Sequence, residues 1–375
     1  MQFVERLLAA ASAVGASDVH LQPVADGLDV SWRLDGVLQP VGRFRRGAAS
    51  DVVARLKVLA ELLTYKHEVP QEGRVKQRID GAEWRVSTFP TLHGERAVVR
   101  RSAAGNRSWR LDELGLPAEI LTRLEPLLRR TSGAILVTGP AGSGKTTTAY
   151  ACLRALSEDL AQRRCLVSIE DPIEVELPGV AQSQVQPAAG FDLALGLRSI
   201  LRQDPEVLLV GEIRDRETAE GMFAAALTGH LVLTTFHAAT STGAISRLSE
   251  MGIQPYQLRS AVLAVLNQRL VRRLCECAEW SDDESARLGL PCERVRLPRG
   301  CDACHGSGYR GRAVLAELLV PDSTEVGRAI LSCDDAPQLE QRAKQAGLVT
   351  LVERAVACVA AGETSPAEIR RVLGF

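Results

Sequence analysis

Residues 139–146 read Gly139-Pro140-Ala141-Gly142-Ser143-Gly144-Lys145-Thr146, and this octapeptide dictates the architecture around it. The spacing is that of a phosphate-binding loop, which works only between a buried strand and the first turn of a helix. Both flanks are present. Ala134-Ile135-Leu136-Val137 leads in as an apolar strand, and Thr146-Thr147-Thr148-Ala149-Tyr150 leads out as a helix start. The glycines let backbone N–H groups converge on phosphate oxygens, and the helix N-terminus adds partial positive charge there. Lys145 is expected to reach the β- and γ-phosphates, Thr146 to ligate Mg²⁺, and Thr147 to follow in the same first turn. The chain is expected to bind a nucleoside triphosphate.

A chain of 375 residues has room for about two or three domains, each with its own core. A net charge of −1 and 4% aromatics argue against a chain-wide basic surface and against base-stacking platforms, so no direct contact with nucleic acid is expected. No apolar run approaches the roughly 20 residues of a transmembrane segment. Met1-Gln2-Phe3-Val4-Glu5-Arg6 lacks the charged and apolar regions of a secretion signal. Nine cysteines, an odd number unevenly spread, do not resemble a disulfide framework. Together these features point to the cytosol.

Helical spacing over residues 4–14 is followed by strand patterns at Asp18–Pro23 and Leu28–Arg33, an Asp35-Gly36 turn, and a helix around Asp51–Leu63. Further strand patterns fall at Val75–Ile79, Trp84–Phe89 and Ala97–Arg100. This makes an α+β domain over residues 1–103. A linker is expected at 104–115, where Gly105-Asn106-Arg107-Ser108 breaks the pattern. In 116–375, short apolar runs at Ile135–Val137, Leu166–Ile169, Val207–Val210 and Leu231–Thr235 alternate with helices, which predicts an α/β fold with a buried parallel sheet. Cysteines gather in 272–312, and 322–375 is helical and amphipathic.

Hydrolysis needs carboxylates beside the phosphates, one to activate water and one on the metal side. Two acidic clusters follow predicted strands, where ligands bind in open parallel sheets. They are Ser168-Ile169-Glu170-Asp171-Pro172-Ile173-Glu174 and Val210-Gly211-Glu212-Ile213-Arg214-Asp215. His230 and His237 bracket a third apolar strand; spacing alone leaves them equally as phosphate sensors or as hydrogen-bonded strand ends.

The order of these segments resembles the type II/type IV secretion ATPases. The resemblance runs through the P-loop, Ile169–Glu174, Leu201–Asp215, and Ala226-Leu227-Thr228-Gly229-His230 with Thr235-Phe236-His237. Ala16–His20 with Arg33–Gly36, and Gly308–Arg312, resemble further signatures of that family. It implies a RecA-like P-loop ATPase core behind an N-terminal PAS-like domain, with ATP and Mg²⁺ as ligands. By the same resemblance Glu174 is the general base, Glu212 acts on the Mg²⁺ side, and His230 and His237 form a histidine box. Arginines of the N-terminal domain would reach nucleotide, with Arg74, Arg85 and Arg96 as candidates, because the planar guanidinium binds phosphate oxygens in pairs.

Cys301-Asp302-Ala303-Cys304 is a good half-site for tetrahedral Zn²⁺. The assembly ATPases that the chain resembles carry a second CxxC about 25 residues upstream; here Cys275-Glu276-Cys277 is one residue short. Zinc is expected on Cys275, Cys277, Cys301 and Cys304, with Cys292 or His305 as alternative fourth ligands. Cys152, Cys165, Cys333 and Cys358 read as small core residues.

The expected function is a hexameric ATPase motor on the cytoplasmic face of the inner membrane. It would work on a membrane platform protein and its associated components in type II secretion or type IV pilus assembly. A pilus retraction motor is the alternative. A DNA-translocating motor and a nucleotide-gated adaptor that no longer hydrolyses are the rivals.

Overall fold

A computed structural model describes residues 2–45, 49–101, 109–321 and 324–374. The chain divides into two compact units, Met1–Arg107 and Ser108–Phe375.

The first unit contains α1 (Gln2–Ala13), β1 (Asp18–Val24), β2 (Gly27–Leu34), β3 (Val37–Arg45), α2 (Ala49–Leu59), β4 (Gln71–Arg74), β5 (Trp84–Thr91) and β6 (Gly94–Arg101). Its strands form one antiparallel sheet in the order β3-β2-β1-β6-β5-β4. Alternation decides which face is covered. Val19, Leu21, Val86, Ala97 and Val99 pack with Leu8 and Ala11 of α1 and Leu56 of α2, whereas the intervening positions turn to the other face. The strand expected at Val75–Ile79 is instead Gln71–Arg74, a short polar edge strand; Val75 only donates its N–H to the Trp84 carbonyl, at 2.8 Å. The helix expected to run to Leu63 ends at Leu59.

The second unit begins with α3 (Ala118–Leu128), β7 (Gly133–Thr138), α4 (Lys145–Ser157), β8 (Leu166–Glu170), β9 (Ala181–Gln184), α5 (Leu193–Ile200), β10 (Val207–Glu212), α6 (Arg216–Leu227) and β11 (Leu231–Phe236). It continues through α7 (Ser241–Glu250), α8 (Pro255–Ala261), β12 (Val262–Leu274), β13 (Glu279–Ser281), β14 (Val295–Leu297) and β15 (Tyr309–Leu319). Four helices close the chain: α9 (Thr324–Leu331), α10 (Ala336–Gln345), α11 (Leu351–Ala360) and α12 (Pro366–Leu373). Of the expected linker, residues 104–108 lie outside the described residues, while Leu111 is buried in the core of this unit.

Seven strands form its main sheet in the order β15-β12-β7-β11-β10-β8-β9, parallel except for the β12–β15 pair. Both faces are covered, which explains the unbroken apolar runs. Leu136, Leu208, Val210 and Val232 face α5–α10. Ile135, Leu209 and Leu233 face α3 and α4. One buried carboxylate links the sheet to two helices: Glu317 of β15 accepts N–H bonds from Ser241 at 2.6 Å and Leu351 at 3.0 Å, capping α7 and α11. Among the described residues no helix is long and apolar enough to cross a membrane.

Candidate functional site

The parallel strands β7, β8, β10 and β11 all point one way, so their C-terminal ends collect the P-loop, Glu174, Glu212 and His237 along one edge. Gly139 leaves β7 at φ +146, and Gly144 caps α4 at φ +88. A Cβ on Gly139 would lie 2.5 Å from both the Gln268 carbonyl oxygen and Ser143 Oγ, so only glycine fits that close approach. Gln268, buried on β12, holds the loop from below. Its Nε2 donates to the Ser143 carbonyl at 2.7 Å, and its Oε1 accepts from the Thr148 hydroxyl at 3.0 Å. Pro140, Ala141 and Gly142 form the exposed rim.

Lys145 donates from Nζ to the Pro140 carbonyl at 3.0 Å, so the lysine closes the loop on itself. Burial pushes its pKa below the ordinary lysine value, against the pull of Glu212 and, more weakly, Glu174. Arg269 adds to the burial in opposing that pull. Ser143 Oγ is buried and has no hydrogen-bond partner among the described residues, a donor that suits a phosphate oxygen. This cradle fits the phosphates of a nucleotide, with the Thr146 hydroxyl and Glu212 available to the coordination sphere of Mg²⁺.

Glu212 ends β10 and is shared. Its Oε1 lies 2.7 Å from His237 Nε2, and its Oε2 accepts from Arg214 Nε at 2.8 Å; Arg214 also reaches Asp171 at 3.4 Å. Glu174 is exposed on the loop after β8, and its backbone N–H donates to the Tyr150 hydroxyl at 3.1 Å.

His230 does not join the group. It precedes β11, whose register pairs Leu231 with Gly133 and Phe236 with Thr138, so it stands at the end opposite the P-loop. Its Nδ1 lies 3.0 Å from the Ala225 carbonyl, the hydrogen-bonded strand end that spacing left open. Arg74, Arg85 and Arg96 belong to the first unit. Arg74 pairs with Arg85 across β4–β5, and Arg85 with Arg100 across β5–β6. Arg96 lies one strand over, 3.3 Å from His20 Nδ1.

The cysteines form a second centre. Cys275 follows β12 directly, and the Cys301–Cys304 turn leads into β15, so the register pairing Leu274 with Tyr309 brings the half-sites together. All four sulfurs lie within 4.8 Å of one another. Three of the separations are 3.8, 3.9 and 3.7 Å. Four thiolates about 2.3 Å from one Zn²⁺ in a tetrahedron would sit about 3.8 Å apart. The shortened Cys275-Glu276-Cys277 spacing thus still presents two sulfurs. Burial opposes ionisation of Cys304, but N–H groups of Cys301 and Gly308, at 3.1 and 3.2 Å, hold its thiol down to about 6. The donor set fits Zn²⁺. Cys292 stands outside it, with its thiol against the Val356 carbonyl at 3.8 Å, and His305 is not among the clustered ligands. Of the four cysteines expected in the core, Cys152 is buried and Cys358 half-buried, but Cys165 and Cys333 are exposed. Cys165 lies just before the N-terminal end of β8, and Cys333 sits in a turn at φ +57, positions that apolar neighbours in sequence do not reveal.

Sequence reading missed Tyr150 and Gln268. Each lies far along the chain from the group it holds, 24 residues from Glu174 and 125 from Ser143, and carries no local motif.

The sequence profile of the family described as "Type II/IV secretion system protein" matches residues 1–371. The chain is 39% identical, over 99% of its length, to the type II secretion system protein HxcR of Pseudomonas aeruginosa, of which it covers 77%. It is 38% identical, over 94% of its length, to the type IV pilus assembly ATPase PilB of Thermus thermophilus, but spans only 40% of that protein. Among solved structures, the ATPase DotB of Legionella pneumophila superposes with a TM-score of 0.72 at 22% identity, covering 98% of this chain and 94% of DotB, a likeness of fold.

Proposed function

The chain belongs to the type II/IV secretion system protein family, and from that membership we propose that it is an ATP-hydrolysing motor for pseudopilus or pilus assembly. Glu174 activates the attacking water. Lys145 and the P-loop N–H groups bind the phosphates, and Glu212, held by His237 and Arg214, orders the metal side. Mg²⁺ bound with the nucleotide would neutralise charge on the phosphates. Arg74, Arg85 and Arg96 are the candidates to read the phosphates from the first unit, and only a contact that differs between nucleotide states can shift a conformational equilibrium. The motor works as a homo-hexamer at the cytoplasmic face of the inner membrane, on a membrane platform protein. Zn²⁺ on the four cysteines ties the ends of β12 and β15 together.

The observation that carries this reading is the placement of the P-loop, Glu174, Glu212 and His237 at the same ends of parallel strands, with the buried Ser143 Oγ left open in the cradle. Glu174→Gln is expected to keep ATP affinity and to lower turnover by about a thousandfold, within the usual range for loss of a general base. Wild-type turnover in that variant would reassign the base. Held in its ATP state, the same variant should capture a polytopic inner-membrane protein from native membranes; recovery of DNA in its place would favour a DNA motor.

A further inference from the structure

We propose that Tyr150 is a positioning residue whose hydroxyl fastens the backbone of Glu174 to the helix that follows the P-loop. One rigid element then sets both the phosphate cradle and the water-activating carboxylate. The inference rests on Glu174 being the base.

Tyr150 lies five positions after Lys145 on α4 and is 4% exposed. Its hydroxyl accepts the Glu174 N–H at 3.1 Å and donates to Glu170 Oε2. Glu170 is the last residue of β8 and is 3% exposed. Its other oxygen accepts from Ser168 Oγ at 2.5 Å and from Gln182 Nε2 at 3.1 Å. A buried carboxylate with three hydrogen-bond donors is a firm anchor, and Tyr150 is the donor that comes from the P-loop helix. Burial, followed by the bond to Glu170, raises the phenol pKa well above its ordinary value, so the hydroxyl stays protonated and can donate and accept at once.

Side chains of β9 hold the rest of the loop. Gln182 accepts the Leu177 N–H at 2.7 Å and donates to the Val175 carbonyl at 3.0 Å, and Gln184 Oε1 lies 3.3 Å from the Ile173 N–H. Residues 173, 175 and 177 are thus tied to the sheet, and residue 174 to α4. Tyr150→Phe removes that tie and keeps the ring that fills the core.

The test compares ATP turnover and nucleotide affinity in wild type, Glu174→Gln, Tyr150→Phe and the double variant, with slow turnover read as single-turnover phosphate release. Tyr150→Phe is expected to lower kcat about tenfold, because a small displacement of a reacting group is costly. KM and the Kd for a fluorescent ATP analogue should stay within about twofold, and the double variant should be no slower than Glu174→Gln, since residues acting as one unit are not additive. Unchanged kcat in Tyr150→Phe, or a further tenfold loss on top of Glu174→Gln, overturns the proposal. Wild-type turnover in Glu174→Gln overturns the base assignment instead, so the two failures are distinct. If Tyr150→Phe does not fold, Ser168→Ala loosens the Glu170 anchor without touching Tyr150. A kcat about threefold lower at unchanged affinity then supports the tie, and an unchanged kcat overturns it.

Discussion

The phosphate cradle and the cysteine cluster lie in the same unit but are built by opposite means. The cradle is main chain: N–H groups shaped by glycines, closed by Lys145 on the Pro140 carbonyl and buttressed by Gln268. Among the buried side-chain atoms of the described residues in the loop, Ser143 Oγ alone lacks a partner, and Lys145 and Gln268 hold the loop's shape before a ligand arrives. The cluster is side chain: four sulfurs from two turns, whose mutual approach within 4.8 Å has no covalent bond to hold it. A preorganised backbone site can exchange its ligand at every turnover, whereas a thiolate site that draws its order from the ion holds that ion as part of the fold. On the proposed function, the difference separates a working site from a structural one within a single sheet.

The largest expected effect is on the cluster. Cys304→Ser removes a sulfur that accepts two backbone N–H bonds, and should lower zinc from about one equivalent to near zero by elemental analysis. Thermal unfolding should drop by about 5–10 °C, while nucleotide affinity stays within about twofold. A parallel loss of nucleotide binding would erase the distinction. Gly139→Ala comes next and should act in reverse. The added methyl meets the Gln268 carbonyl at 2.5 Å on a backbone at φ +146, so ATP affinity should weaken about a hundredfold with zinc content unchanged. Titration with a fluorescent nucleotide and metal analysis of the same sample would check both halves. Gln268→Ala tests the buttress alone. It leaves the buried Thr148 hydroxyl and the Ser143 carbonyl without their partner, and should weaken nucleotide binding about tenfold by the same titration.

The two regions also differed in how far sequence alone could read them. The cradle is eight consecutive residues with an apolar strand before it, and a buried parallel strand needs no alternation to be recognised; β7, β8, β10 and β11 stand close to where their apolar runs placed them. What holds those residues is nonlocal. Gln268 sits on β12, whose run Leu266-Asn267-Gln268-Arg269 interrupts the apolar pattern because Asn267 and Gln268 are buried to bond Thr138 and the P-loop. β4 is illegible in sequence for a related reason: Gln71-Glu72-Gly73-Arg74 has poor strand propensity, and sheet-edge pairing with β5 decides its state. His230 and His237 look equivalent in sequence, yet a six-residue strand sets them at opposite ends, and only His237 meets Glu212. In the cysteine segment the first half-site is one residue short, yet the paired ends of β12 and β15 still present its sulfurs to the other two, because strand register, rather than chain spacing, sets that approach.

The smallest effect separates the regions by pH. Helix α11 packs Leu351, Ala355 and Val359 against Leu290, Cys292 and Val295 of the cysteine segment. Its first turn is a capping box in which Glu353 accepts from the Thr350 N–H at 2.7 Å and the Thr350 hydroxyl at 2.9 Å. Those bonds, the backbone one foremost, hold the Glu353 carboxyl below its ordinary 4.5. A depressed folded pKa means that the unfolded chain binds the proton first. The stabilisation is therefore complete above about pH 4.5 and is lost as pH falls through the lower folded value. Glu353 is exposed, so solvent screening keeps the contribution below about 1 kcal/mol, or about 2 °C in melting temperature. Glu353→Gln keeps a side-chain acceptor for the cap but removes the titration. Its melting temperature should lie slightly below wild type at pH 6 and converge with it as pH falls below the depressed folded value. Nucleotide affinity should be the same in both proteins at pH 6, because the cap packs on the cysteine segment and its capping bonds touch nothing in the cradle. A constant offset in melting temperature across that range would mean that the carboxyl acts through packing instead of charge.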